Sequence, residues 1–270
     1  MRIITLGPKG TFSHEAVLGY CQQAEVIFKP TVWDVFEGTA SGEGELGMVP
    51  IENSITGSVG FTLDALLHFN LSIKAETVLP IKHNLAGWGE VNQIKVVYAH
   101  PQTHAQCTTF LRTRLCGVEI IETSSNAKSA EMLAQQTSPE HAAIVPTIAA
   151  QIYNLKLLVR NIQDSKFNVT RFVVIGQEDS PERTGRDKTS LVIYPVADRP
   201  GILCEMLEEF KIRNINLTKI ESRPSGKLGD YIFYIDCEGH RQDQHLAEAL
   251  QKIEAKAAFL KILGSYPKMC

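Results

Sequence analysis

Short apolar runs alternate with amphipathic helical segments along the first 175 residues of the chain. The predicted strands cover residues 2–6, 46–51, 94–99, 118–122 and 142–145, and the predicted helices cover residues 12–23, 61–69, 101–114, 127–136 and 147–153. Alternation of this kind predicts an α/β fold with a mainly parallel sheet. Residues 71–86 interrupt it with extended chain, which indicates a crossing between two lobes.

A second pattern begins after a hydrophilic stretch. Residues 176–188 are rich in glycine, proline and charge, which is typical of a linker. Beyond them we predict strands at 189–195, 215–220, 231–237 and 259–264, with helices at 200–211 and 242–257. The order βαββαβ predicts a ferredoxin-like sandwich. We therefore expect a first domain at residues 1–178, a linker at 179–188 and a second domain at 189–270.

Composition and charge exclude several classes of protein. The 270 residues are 44% hydrophobic and 21% charged, which is ordinary for a globular protein. The net charge is −3 and no basic stripe is present, so nucleic acid is not an expected partner. The apolar run at the start of the chain ends too early for a signal peptide, and no apolar run reaches the roughly 18 residues of a membrane span. We expect a cytoplasmic protein without a membrane partner.

Polar motifs follow several of the predicted strands, where open α/β sheets bind their ligands. Residues 7–14 form a glycine-containing turn that opens a helix, and free N–H groups at a helix start attract anions, although a plain turn with a serine or threonine cap explains the motif equally well. Residues 49–58 cluster polar side chains after a strand, although helix capping explains them equally well. His100 and His104 are four residues apart, but no acidic residue completes a metalloprotease-type pattern, so we predict no metal site.

Residues 168–172 form the last motif and precede an apolar strand. The hydroxyl of Thr170 could donate a hydrogen bond to a leaving oxygen while the Arg171 guanidinium holds a carboxylate. The local sequence alone favours a plainer explanation, which is an ordinary strand start with an exposed arginine.

In this order, the motifs resemble those of prephenate dehydratases along nearly the whole chain. The resemblance is carried by residues 7–13, Glu52-Asn53-Ser54 with Gly57, His100-Pro101 with Gln106-Cys107, and Asn168-x-Thr170-Arg171-Phe172. The C-terminal part is similar to an ACT regulatory domain, through residues 198–201, Asn216-Leu217 and Glu221-Ser222-Arg223-Pro224. No chorismate mutase helices precede the first strand in this sequence, so we expect the monofunctional form.

The resemblance implies a fold and an activity. The fold is a two-lobed, type II periplasmic-binding-protein-like α/β domain with the active site between its lobes, followed by a ferredoxin-like ACT domain. The activity is that of a carbon–oxygen lyase of phenylalanine biosynthesis, which converts prephenate to phenylpyruvate, CO2 and water. The resemblance also implies feedback control by L-phenylalanine and a homodimer or homotetramer. Aromatisation drives the reaction, so no cofactor is implied. Arogenate dehydratase and a non-enzymatic small-molecule sensor stay open as alternatives.

Roles for single residues follow from the same resemblance. Thr170 is the implied catalytic residue, as a hydrogen-bond donor to the leaving hydroxide. The implied substrate-binding residues are Thr11, Glu52, Asn53, Ser54, Asn168, Arg171 and Phe172. The implied phenylalanine-binding residues are Gly201, Ile202, Leu203, Asn216, Leu217, Glu221, Ser222, Arg223 and Pro224. Asn126 stands where many members have threonine, and Ile202 where a small residue is common, so their roles stay open.

Overall fold

The computed structural model describes residues 1–178, 182–227 and 229–269. Part of the predicted linker, residues 179–181, therefore lies outside the described residues, as do Leu228 of the predicted hairpin and the C-terminal Cys270. Within the described ranges, no helix is long and apolar enough to cross a membrane.

The described chain forms three sheets with helices around them. The strands are β1 (Arg2–Leu6), β2 (Glu25–Lys29), β3 (Leu46–Asn53), β4 (Gly57–Ser58), β5 (Ser72–Pro80), β6 (Asn84–Gly87), β7 (Val96–Ala99), β8 (Glu119–Glu122), β9 (His141–Val145), β10 (Leu157–Val159), β11 (Val169–Gly176), β12 (Asp187–Pro195), β13 (Leu217–Pro224), β14 (Tyr231–Glu238) and β15 (Ala257–Pro267). The helices are α1 (Phe12–Tyr20), α2 (Val32–Ala40), α3 (Gly60–His68), α4 (Pro101–Ala105), α5 (Thr108–Arg114), α6 (Asn126–Ala134), α7 (Thr147–Ile152), α8 (Ile202–Lys211) and α9 (Gln244–Glu254), with a 3-10 turn at Val91–Gln93.

The first two sheets are two lobes with the same strand arrangement. Lobe 1 has the order β2-β1-β3-β11-β5 and lobe 2 has the order β8-β7-β9-β6-β10. In each lobe three parallel strands are followed by one antiparallel strand, β11 or β6, that arrives from the other lobe. The chain therefore crosses between the lobes twice, near residues 81–83 and 160–168. These crossings confirm the expected two-lobed α/β architecture, although each sheet is mixed rather than mainly parallel.

The third sheet has the order β13-β14-β12-β15 and is antiparallel throughout. Helices α8 and α9 cover one face, where Met206, Phe210 and Leu246 form a buried core with the sheet. This βαββαβ sandwich is the predicted ferredoxin-like fold. Strand β12 begins at Asp187, two residues before the predicted start, because Asp187 and Lys188 are buried and paired within the sheet.

The other face of the third sheet packs directly on lobe 1. Tyr234 and Tyr266 of the sandwich belong to the same buried cluster as Leu63, Ile73 and Val173 of lobe 1. Tyr234 Oη also donates a hydrogen bond to the Leu63 carbonyl at 3.1 Å. The sandwich and lobe 1 thus share one hydrophobic core.

One predicted helix is broken in the structure. Residues 101–114 form two short helices, α4 and α5, which are separated at Gln106 and Cys107. The break turns the Gln106 side chain inward, where its amide oxygen accepts two hydrogen bonds. Strands β2 and β10 and helix α2 were not predicted, although Thr31 and Asp34 form a complete capping box at the start of α2.

Candidate active site

Strand β11 starts at the crossing between the lobes, and its first side chains alternate between two environments. Thr170 lies opposite Asn53 of β3, and Arg171 lies opposite Glu52. Directly opposed residues of an antiparallel pair share a face, and successive residues point to opposite faces. Thr170 and Asn53 therefore share the face that carries α1, whereas Arg171 and Glu52 share the face that meets the sandwich.

Asn53 organises the residues on the α1 face. Its amide nitrogen lies 2.9 Å from Thr170 Oγ1, 2.9 Å from Asn168 Oδ1 and 3.1 Å from the Val169 carbonyl. Its amide oxygen accepts hydrogen bonds from the backbone N–H groups of Ile55 and Thr56. Asn53 thereby fixes the end of β3, the following turn and the start of β11 relative to one another.

The Thr170 hydroxyl accepts a hydrogen bond from Asn53 and keeps its own proton available. In the described part of the chain, no protein atom accepts a hydrogen bond from this hydroxyl. Thr170 is buried, with 9% of its surface exposed. A donor of this kind can serve a ligand oxygen without breaking a bond inside the protein.

A chain of side-chain amides continues from this pair into lobe 2. Asn168 Nδ2 donates to Gln106 Oε1 at 2.9 Å, and His83 Nε2 lies 2.9 Å from the same oxygen. Because Gln106 Oε1 can only accept, His83 donates from Nε2, and its buried Nδ1 has no partner among the described atoms. Burial lowers the pKa of His83, and the hydrogen bond to Gln106 opposes this shift. His83 is therefore neutral.

Sequence reasoning missed Gln106 and His83 as members of this group. Gln106 belongs to one of the motifs that carry the family resemblance. However, residues 101–114 were predicted to form one continuous helix, with Gln106 in its interior. His83 lies in the crossing segment, where the sequence offers only a lone histidine. The sequence did offer one indication of this group, which is that three of its motifs each contain an amide residue, namely Asn53, Gln106 and Asn168.

The two lobes touch at the N-terminal turn of α1. A Cβ placed on Gly10 of lobe 1 would lie 3.5 Å from the Ala127 Cβ and 3.5 Å from the Ala149 Cα, both in lobe 2. Across the same gap, the ring of Phe12 meets the ring of His83 edge-on at 5.5 Å between centroids. Residues of lobe 1 therefore contact lobe 2 and the crossing segment at this turn.

Two helices with hydroxyl caps start at this gap. The Thr11 side chain accepts a hydrogen bond from His14 N at the start of α1, and Ser125 does the same for Lys128 N at the start of α6. The unpaired backbone N–H groups of a helix start favour negative charge. Asn126, the first residue of α6, accepts a hydrogen bond from Thr103 at 2.6 Å.

Arg171 and Glu52 do not lie in this cleft, contrary to the expectation from sequence. The Arg171 guanidinium binds Asp236 of the sandwich at 2.7 Å and also faces Glu52 and Glu76, at 3.4 and 3.3 Å. Burial disfavours its charged form, but the nearby carboxylates, Asp236 foremost, raise the pKa of Arg171 above its ordinary value. The strand alternation causes the error, since adjacent residues cannot point to the same face.

Phe172 and Ser54 lie near the cleft but are occupied by the protein itself. Phe172 is 1% exposed and packs with Ile3, Met48 and neighbours beneath α1. The Ser54 hydroxyl donates to the Phe167 carbonyl at 2.8 Å and accepts from Val169 N at 3.0 Å. Both residues therefore shape the site and offer no free group to a ligand.

The residues implied for phenylalanine binding lie in two parts of the sandwich. Gly201, with φ +86°, begins α8, and Ile202 is buried in the helix-side core beside Leu203. Asn216 and Leu217 lie at the start of β13 and Glu221, Ser222, Arg223 and Pro224 at its end, where Ser222 and Pro224 are exposed.

Three side chains of β13 bind lobe 1, and one of them is Lys219, which contacts Ser58 and Glu52. Glu221 accepts a hydrogen bond from Ser58, and Arg223 Nη1 donates to the Gly60 carbonyl at 2.7 Å and pairs with Asp64. The end of β13 therefore joins the sandwich to the segment that follows Asn53.

The fold and the site together define a class of protein. A polar cluster lies where two chain crossings meet, between two α/β lobes, and a separate sandwich is fixed to one lobe. Small-molecule sites are expected in clefts of this kind, at the ends of sheet strands.

Comparison with known proteins identifies the family. The prephenate dehydratase family model matches residues 3–180, and the ACT domain model matches residues 189–255. The chain is 42% identical to a prephenate dehydratase of Methanocaldococcus jannaschii, with 96% of each chain covered. It is 41% identical to a bifunctional chorismate mutase/prephenate dehydratase of Aquifex aeolicus, covering 99% of this chain and 74% of that protein. The crystal structure of a prephenate dehydratase from Arthrobacter aurescens in complex with L-Phe superposes with a TM-score of 0.92 at 36% identity, covering 99% of this chain and 90% of that one.

The chain belongs to the prephenate dehydratase family, whose members are hydro-lyases, and carries an ACT domain at its C-terminal end.

Proposed function

We propose that this protein converts prephenate to phenylpyruvate, with Thr170 as the hydrogen-bond donor to the departing hydroxide. The observation that carries the proposal is the hydrogen bond from Asn53 to Thr170 Oγ1, which leaves the hydroxyl proton free inside a buried site between the lobes. Family membership supplies the substrate class.

The reaction breaks two bonds of the substrate ring. The bond between the ring and its carboxylate breaks, CO2 leaves, and the electron pair moves into the ring. The ring C–O bond breaks at the opposite carbon, and the departing hydroxide takes up one proton from solvent to become water. The product ring is aromatic, which supplies the driving force.

Hydroxide is a poor leaving group, so stabilisation of its developing charge is the main task of the protein. A threonine hydroxyl is too weak an acid to give up its proton fully at neutral pH. A hydrogen bond that strengthens as charge develops on the oxygen is sufficient for the proposed role, and one such preorganised donor is worth roughly 3–4 kcal/mol. Asn53 supports the role because it holds Thr170 Oγ1 in a fixed position.

The substrate is a dianion, and its two carboxylates need partners other than Arg171. The N-terminal turns of α1 and α6 face each other across the gap and carry the caps Thr11 and Ser125. We assign the carboxylates to the N–H groups of these two turns, as helix starts commonly bind anions. Asn53 and Asn168, whose amides are hydrogen-bonded within the protein, fix the position of Thr170 beside these turns.

Phenylalanine is the proposed effector, acting through the ACT domain in the cytoplasm. The bound L-Phe of the Arthrobacter relative supports this assignment. We propose that the start of α8, from Gly201 to Leu203, and the exposed side of β13, with Asn216, Ser222 and Pro224, form the pocket when two copies of the chain associate. A homodimer or homotetramer follows from this arrangement.

The first test is turnover with purified protein. Prephenate should be consumed as phenylpyruvate absorbance appears, and L-phenylalanine should lower the rate. A protein that binds prephenate without consuming it is a sensor, and that result would reject the proposal. A higher rate with arogenate than with prephenate would reassign the substrate, because that compound carries an amino group in place of the keto oxygen.

A further inference from the structure

A buried cluster of charges lies between the strand that carries Thr170 and the ACT sheet. Its members are Arg171, Glu76, Asp236 and Lys188, and we call it the interdomain ion cluster. Arg171 and Glu76 come from lobe 1, whereas Asp236 and Lys188 come from the sandwich. The four side chains are between 3% and 15% exposed.

Each charge in the cluster has a partner from the other domain. Lys188 Nζ lies 2.9 and 2.8 Å from the two carboxylate oxygens of Glu76. Arg171 Nη2 lies 2.7 Å from Asp236 Oδ2. Each domain contributes one cation and one carboxylate, so separating the domains would break the Lys188–Glu76 and Arg171–Asp236 pairs.

The remaining oxygen of Asp236 is also fixed. Ser190 donates a hydrogen bond to Asp236 Oδ1 at 2.6 Å and contacts the hydroxyl of Tyr266, which is fully buried. Asp236 thus has no freedom to follow Arg171 if the strand moves. The ACT sheet therefore acts as a rigid reference for the position of Arg171.

Arg171 is the neighbour of Thr170 in the same strand, so its anchorage also fixes Thr170. The pairing of β11 with β5 is regular from Val169 to Val174, whereas its pairing with β3 is irregular between Arg171 and Phe172, so the β3 side of the strand is the less restrained side. On that side, the hydrogen bonds of Asn53 to Thr170 and of Arg171 to Asp236 supplement the ladder.

We infer that Arg171 is a positioning residue: its ion pair with Asp236 holds the Thr170 hydroxyl in its reactive place. The ACT domain is in this way part of the catalytic architecture as well as an effector domain. The inference rests on the proposed function for its kinetic readout only, and its structural readout is independent of activity.

The test compares two variants of the full-length protein that each weaken the same domain interface. Asp236→Asn removes the charge opposite Arg171 and keeps the size of the side chain. Lys261→Met is the matched control, because Lys261 Nζ joins the sandwich to the carbonyls of Leu66, Leu67 and Phe69 at the end of α3, away from β11.

The positioning role predicts a split between kcat and KM. Asp236→Asn should lower kcat roughly 10- to 100-fold with little change in KM, since small misplacements of a catalytic group have effects of this size. Lys261→Met should lower the melting temperature and leave kcat unchanged. Wild-type kcat in folded Asp236→Asn protein would overturn the inference.

Hydrogen exchange of the backbone amides at residues 169–171 supplies the second readout. It should become faster in Asp236→Asn and stay at the wild-type rate in Lys261→Met. Equal exchange in both variants overturns the inference, even if the wild-type protein does not act on prephenate. If Asp236→Asn does not fold, Glu52→Gln takes its place, because this half-exposed partner of Arg171 should give a smaller loss of kcat in the same direction.

Discussion

The two faces of β11 differ in what they bring together. On one face, Thr170 meets neutral groups, the amides of Asn53 and Asn168, next to the gap between the lobes. On the other, Arg171 meets carboxylates of lobe 1 and of the ACT sheet. Two adjacent residues of one motif thus serve two different contacts. A motif in a strand therefore places successive side chains on opposite sides of the sheet. The role of each residue has to be assigned separately.

The largest expected effect is a loss of stability when a charged residue on the Arg171 side of β11 is replaced. Lys188→Met would leave Glu76 buried without its closest cation, and removing one partner of a buried ion pair costs about 3–5 kcal/mol. Urea unfolding measures this loss. Lys95→Met is the control, because the Lys95–Glu140 pair is exposed and should contribute less than about 1 kcal/mol. Equal losses in the two variants would show that the interdomain ion cluster is not buried in solution.

The next largest effect is a loss of kcat when Thr170, on the neutral side of β11, is replaced. Thr170→Val should lower kcat about 10²- to 10³-fold, because the donor to the departing oxygen is lost. Its unfolding free energy should stay near that of the wild type, and Thr170→Ser should keep most of the activity because the hydroxyl remains. Steady-state kinetics with prephenate, together with a melting curve, checks both statements. Full turnover in folded Thr170→Val protein would remove Thr170 from the mechanism.

A smaller and mixed effect is expected at Asn53. Asn53→Ala would leave Thr170 free to rotate and the Ile55 and Thr56 N–H groups without their acceptor. Ile55 and Thr56 are exposed, so water can replace the lost acceptor, and each lost hydrogen bond should cost about 0.5–1.5 kcal/mol. We expect a loss of both kcat and melting temperature, whereas Asn92→Ala, at an exposed asparagine, should change neither. Loss of stability with unchanged kcat would contradict the proposed orienting role.

The smallest effect is a pH dependence from the cleft side. Burial lowers the pKa of His83, so below its ordinary pKa of about 6.5 the unfolded chain takes up a proton that the folded protein does not. Stability is therefore complete above that pH and falls as the pH drops through it, by at most about 1.4 kcal/mol per pH unit. Unfolding curves between pH 7 and 5 measure the slope. His83→Gln should flatten it, and an unchanged slope would assign the effect to other groups.

Most of the fold could be predicted from sequence because hydrophobic periodicity reports on burial. The order of strands and helices in the sandwich was predicted correctly, because each of these elements buries one continuous face. The break at Gln106 was not predictable in the same way, because residues 101–114 keep a helical pattern across it. The hydrogen bonds from His83 and Asn168, both distant in sequence, stabilise the inward turn of this side chain.

The candidate site was predictable as a set of motifs but not as a geometry. The resemblance selected Asn53, Asn168 and Thr170, and the structure brings these three together. It also selected Glu52 and Arg171, which the strand alternation directs to the ACT sheet. The pairing partner of Arg171, Asp236, lies 65 residues away in another domain, so no local pattern could reveal it.

A crystal structure with an unreactive analogue of prephenate would test the central claim most directly, since it shows both faces of β11 at once. We expect the ring oxygen of the analogue to lie about 2.7–3.1 Å from Thr170 Oγ1, the distance of a preorganised donor. We also expect the Arg171 guanidinium to stay on Asp236. A structure in which Arg171 leaves Asp236 and binds a carboxylate of the analogue would contradict the account.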